Sequence, residues 1–142
     1  MKMNGLLPVL MLLNALFYCG VLMARQGAAD LKEAYDHFWM DYAGAMKKIK
    51  AEKDDAAAAQ QTDQLKKFIL PGFSRVLAST AKWKQTHSKR EVAELEAWVN
   101  SNPRAKEASD LQSDLMIRAA RERGLFGKSF MEYLQMMAKA GK

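Results

Sequence analysis

At 142 residues, 49% apolar and 27% charged, the chain has material for one modest hydrophobic core and excludes a large multidomain enzyme. Its formal net charge of +6 is basic, yet 16 acidic residues accompany the 22 basic ones, which excludes a simple polycation. A single cysteine, Cys19, and two histidines, His37 and His87, exclude a disulfide framework and a thiolate metal centre.

Residues 6–24 form an uncharged apolar run, preceded by Lys2 and followed by Arg25. Its length and flanks fit a cleaved export signal or a retained membrane anchor. Asn14 and Gly20 weaken it as a membrane helix, and small residues suited to cleavage follow at Ala24 and at Gly27-Ala28-Ala29. Cys19 does not read as a lipoprotein site, because Phe17 and Tyr18 stand where small residues are needed. The expected organisation is a signal peptide or N-terminal anchor over residues 1–29 and a single helical domain over residues 30–142. Cleavage would release the domain to the periplasm or the medium; otherwise residues 6–24 hold it in the inner membrane. From Asp30 onward, 20 basic residues face 16 acidic ones, a net charge of +4.

Leu31, Tyr35, Phe38, Tyr42, Ala45 and Ile49 step by fours and threes, which predicts a first helix with one apolar stripe widened by Trp39 and Met46. Lys32, Glu33, Asp41, Lys47 and Lys48 occupy its other side. The alanine- and glutamine-rich segment 54–61 either continues this helix or forms the turn into the next, with Thr62 or Asp63 as the N-cap. Leu65, Phe68, Ile69, Phe73, Val76, Leu77 and Thr80 keep helical spacing across Pro71-Gly72, where a kink or break is expected because proline lacks a backbone donor. Ser88 followed by Glu91 is a capping box, with Val92, Leu95, Trp98 and Val99 as the apolar face behind it. Asn102 and Pro103 then read as the N-cap and first residue of a helix carrying Leu111, Leu115, Ile117 and Ala119, which stops at Gly124. A last helix is expected from about Ser129 to Lys139, with Phe130, Met131, Leu134 and Met137 on one side. No alternating run of strand length occurs, so the fold class is all-α: a small bundle of four to five helices after the N-terminal hydrophobic segment.

This order of helices resembles family 2059 of the bacterial secreted domains of unknown function, over roughly residues 68–122. The residues that carry the resemblance are Ser88-Lys89-Arg90-Glu91-Val92-Ala93-Glu94-Leu95, then Trp98-Val99-Asn100-Ser101-Asn102-Pro103, then Leu115-Met116. The turn departs from the family's Ser-Pro-x-Gly-like pattern, since Asn102 separates Ser101 from Pro103 and no glycine follows. The resemblance implies a helical fold and export, and no activity.

Catalytic signatures are missing from the sequence. There is no glycine-rich phosphate loop, no nucleophile elbow and no haem-attachment motif. His37 and Asp41 share a helix face, but one histidine and one carboxylate fall short of the three or four ligands of a metal site. Glu91 with Glu94 and Asp110 with Asp114 are spaced as carboxylate pairs, without a sign of the burial that acid catalysis needs. Residues 98–106 echo a DNA-recognition helix, but Pro103 interrupts it, and no nucleic-acid partner is expected. No cofactor or metal is expected either, and the chain does not read as an enzyme.

Two surfaces stand out. The aromatic stripe Tyr35, Phe38, Trp39, Tyr42 and Met46 is the candidate partner-binding face, on the condition that the fold leaves it exposed. Met40, Met116, Met131, Met136 and Met137 add adaptable apolar contacts. Lys47, Lys48, Lys50, Lys53, Arg118 and Arg121 are the candidate surface for anionic lipid or glycan. The favoured reading is an exported interaction module binding an envelope protein, with binding of anionic envelope material as the alternative. The four-three repeat of the first helix also permits self-pairing into a homodimer.

Overall fold

A computed structural model of the chain describes residues 27–140, so the apolar run 6–24, Cys19 and the cleavage sites lie outside the described residues. The described residues form five helices and no strand: α1 (Ala28–Ala51), α2 (Asp55–Thr86), α3 (Lys89–Asn100), α4 (Pro103–Glu122) and α5 (Leu125–Ala140). This is the all-α bundle expected from the spacing. Among the described residues, no helix is long and apolar enough to cross a membrane.

Helices α1 and α2 form one antiparallel hairpin and α4 and α5 another. The hairpins lie side by side, with α1 packed on α2 and α4, and α5 packed on α2 and α4. Contacts from Asp36 to Asn102 at one end of α1 and from Ile49 to Arg118 at the other show that α1 and α4 run parallel. Contacts of Asp55 with Phe126 and of Lys66 with Glu132 show the same for α2 and α5. The α2 and α4 helices therefore occupy diagonal corners, too far apart for a tight turn. The short α3 bridges them across the end of the bundle where α1 begins. There Leu95 of α3 closes a second small core over Leu31 and Trp83.

The main core is built from the stripe of α1 (Tyr35, Phe38, Tyr42, Met46 and Ile49), Leu65 and Ile69 of α2, Leu115 of α4, and Phe126, Phe130 and Tyr133 of α5, all buried. One polar knot sits inside it. The Tyr42 hydroxyl donates to Gln112 Oε1 at 2.7 Å and lies in hydrogen-bond contact with the Tyr133 hydroxyl, which ties α1 to α4 and α5. At the α3 end the Tyr35 hydroxyl meets Thr80 Oγ1 at 3.0 Å, so the amphipathic phenols enter the core with their polar tips partnered.

The predicted caps of α3 and α4 are present. Glu91 N–H donates to Ser88 Oγ and the Glu91 carboxylate accepts from Ser88 N–H at 2.8 Å. Asn102 Oδ1 accepts from Arg104 N–H, with Pro103 opening α4. Four features differ from expectation. The α2 helix starts at Asp55, capped by Asp54, so Thr62 is a buried helical residue bonded to Ala58 O instead of a cap. It also continues through Pro71 without breaking, because packing on both sides outweighs one lost backbone bond. Arg123, not Gly124, takes the left-handed conformation that ends α4, at φ 49°. The Cβ-free edge of Gly124 serves another purpose. A methyl group there would lie 2.6 Å from the Asp55 carboxylate, which reaches over to accept the N–H groups of Leu125 and Phe126 at 2.8 and 3.0 Å. Asp55 thus caps α5 from the first turn of α2, and α5 begins at Leu125, four residues earlier than the apolar spacing predicts.

Candidate functional site

The first expectation to be corrected is the aromatic partner face. Tyr35, Phe38, Tyr42 and Met46 are buried and Trp39 is half-buried against the core. These residues touch α2, α4 and α5 because the widest apolar stripe of α1 is the one the bundle needs to close. Phe38 stacks on Tyr42, Tyr35 meets Trp98 edge-on, and Phe73 and Tyr133 pack tilted against Phe38 and Tyr42.

What α1 leaves open is the neighbouring face. Ala34, Phe38, Asp41, Ala45 and Lys48 recur at threes and fours, with Gly44 beside them, along one edge of the α1–α2 hairpin. Gln61, Gln64, Leu65, Phe68, Gly72, Arg75 and Val76 line the facing edge of α2. Between them runs a groove of about 800 Å³. Small residues make it. Ala34, Gly44 and Ala45 keep the α1 wall low, and at Gly72 a methyl group would press on the Phe38 ring at 3.3 Å. Two large apolar side chains stand at the rim instead of in the core, Met40 at 45% exposure and Phe68 at 39%.

Gly44 is the residue that packing does not account for. A Cβ placed on it would have no heavy atom within 4 Å, and its φ is not positive. Glycine inside a helix costs about 1 kcal/mol relative to alanine. Packing in the fold does not account for the missing side chain, and Gly44 lies in the groove wall.

The charges around the groove are sparse and free. Lys48 stands on the α1 wall toward the Gln61 end, Arg75 on the α2 wall toward the Ala34 end, and Asp41 lies on the α1 wall. Among the described residues none of the three has an ion-pair partner; Arg75 only folds back to Pro71 O at 3.3 Å.

Half of the six basic candidates pair within the molecule. Lys47 pairs with Glu107, and Lys50 pairs with Asp114 at 2.6 Å, which neutralises the α1–α4 seam. Arg118 is a structural residue. Its Nη1 donates to the carbonyls of Ile49 and Glu52, closing the C-terminal end of α1, while its guanidinium covers the Phe126 ring and its Nε pairs with Glu122. Lys48, Lys53 and Arg121 remain exposed, and Lys48 lines the groove.

The titratable candidates do not converge. His37 lies 3.6 Å from Glu33, not on Asp41, and His87 stacks on Trp83 while its Nδ1 contacts Trp83 O at the end of α2. Glu91 is held below the usual carboxylate range by the Ser88 backbone N–H and then by its hydroxyl, as a cap. Asp110 pairs with Lys106 and Asp114 with Lys50. Burial pushes the Tyr42 hydroxyl far up and that of Tyr133 to about 12, so both stay neutral phenols. Among the described residues no three histidine, cysteine or carboxylate side chains come together as a metal site.

Periodicity placed Phe38, Ala45, Leu65, Phe68 and Val76 on apolar stripes, but not the open trough that they line together with the small and polar residues Ala34, Asp41, Gly44 and Gln64. The readable signal was Gly44, a helix-weakening residue set among strong helix formers. No family model, no curated protein and no solved structure matches the chain.

Proposed function

We propose that this protein is an exported, non-enzymatic interaction module of the bacterial cell envelope that holds a protein partner in the α1–α2 groove. The observation that carries the reading is the open wall at Gly44, flanked by the exposed apolar groups of Met40 and Phe68. A protein interior fills its space, and a domain that leaves a long trough and pays for it with a mid-helix glycine reserves that trough for another molecule. A trough between two antiparallel helices has the shape that accepts a third helix. Export rests on the uncharged run 6–24 behind Lys2, which either leaves with the signal or anchors the domain. Binding of anionic lipid or glycan fits less well, since Lys47, Lys50 and Arg118 already have partners within the domain.

Site-specific photocrosslinking in the native host tests this. A photoreactive residue replacing Met40 or Phe68 is expected to give an adduct of one size in the envelope fraction, and the same group replacing the exposed Ser113 of α4 none. Absence of adducts from the groove, or equal adducts from Ser113, would overturn the reading. The intact mass of the same material shows whether residues 1–29 are retained.

A further inference from the structure

The free charges of the groove specify its occupant more closely, an inference that rests on the groove being the binding surface. Because α1 and α2 are antiparallel, the Tyr35–Thr80 bond and the Phe38–Gly72 contact set which turns lie opposite one another. That register places Arg75 level with the turn of α1 around Phe38, some ten residues before Lys48. At 1.5 Å per residue the two cations are separated along the groove by about 15 Å, or three helical turns. They stand on opposite walls, one near each end, and the apolar rim of Met40 and Phe68 lies between them. Asp41, also on the α1 wall, repels a uniformly anionic ligand such as a polyphosphate or an acidic glycan.

We infer that the groove receives an amphipathic α-helix of a partner protein whose inserted face carries an apolar anchor between two acidic residues about three turns apart. The anchor enters the space over Gly44, against Met40 and Phe68. The two carboxylates meet Lys48 and Arg75, which lose no internal ion pair in doing so. The length of the groove wall, residues 34–48 of α1, matches a helix of about four turns.

Three synthetic peptides of about 18 residues, long enough to hold a helix in water, provide the test. All share a central leucine pair. The first has glutamates three turns apart on the leucine face, the second has lysines at those positions, and the third has the glutamates on the opposite face. Titrated at low salt against the purified full chain, the first is expected to bind about three- to tenfold more tightly than either of the others. A K48E/R75E variant is expected to reverse the order of the first two. Both substituted side chains are exposed and unpaired, and a matched thermal midpoint verifies the fold of the variant. Equal binding of the three peptides, or an order unchanged in the variant, overturns the inference. If no peptide binds while Met40 still crosslinks in the host, the inference falls and the groove reading stands; if the crosslinks are absent too, both fall.

Discussion

Asp55 opens α2 and caps α5 at once, and that double role depends on Gly124 offering no Cβ against its carboxylate. Loss of a helix cap typically costs about 1–2 kcal/mol. Asp55→Ala is accordingly expected to lower the unfolding free energy by about that amount in urea titration, whereas Glu94→Ala, which removes only an exposed i,i+4 pair with Arg90, should change it by less than about 0.5 kcal/mol. Local roles such as these were legible in the sequence when both partners lie within one turn: Ser88 with Glu91, and Asn102 with Pro103. They were illegible when the partner is distant in sequence. Nothing near Arg118 announces that it closes the end of α1, and nothing near Asn102 announces that its Nδ2 donates to Asp36 at 3.0 Å.

At the scale of the helix, apolar spacing found every element and misplaced two starts. The α2 start was lost because alanine and glutamine favour helix without marking a face, so residues 55–61 carried no periodic signal. The α5 start was lost because its cap comes from another helix. The same periodicity put the aromatic stripe of α1 on one side, and that side became the core, since a helix bearing such a stripe in a four-cornered bundle has three neighbours' worth of surface to meet. The groove lies along the edge of that stripe, where Phe38 and Ala45 border Ala34 and Gly44, and spacing alone does not show that small residues leave this edge open. Because Gly44 has open space at its Cβ, Gly44→Ala is expected to stabilise the protein by about 0.5–1 kcal/mol, read as a raised midpoint in urea. A destabilisation would mean that the backbone there needs glycine for the fold.

Across the whole molecule, the Tyr42–Gln112–Tyr133 knot joins the two hairpins, and its pH dependence follows from burial. Both phenols bind their protons more tightly folded than unfolded, so the stability they contribute is complete below the ordinary value of 10. It is lost as pH rises from there through about 12, where Tyr133 ionises. Alkaline unfolding of Tyr133→Phe is therefore expected to fall less steeply over that interval than that of the native chain, although the variant starts less stable. The all-α architecture was legible at this scale, whereas the second small core of Leu31, Trp83 and Leu95 beside the main one was not. The diagonal placement of α2 and α4, which makes α3 a bridge over one end, was not, because helix length and spacing say nothing about which corner each helix takes.

The most direct test of a groove built for a partner separates its occupancy from the fold. Gly44→Leu starts an apolar side chain at a position where an added Cβ meets no heavy atom within 4 Å. Measured together on this variant, thermal stability is expected to stay at or above that of the native protein while the Met40 photocrosslink in the host is lost. A stable Gly44→Leu protein that crosslinks from Met40 as well as the native chain would contradict the account.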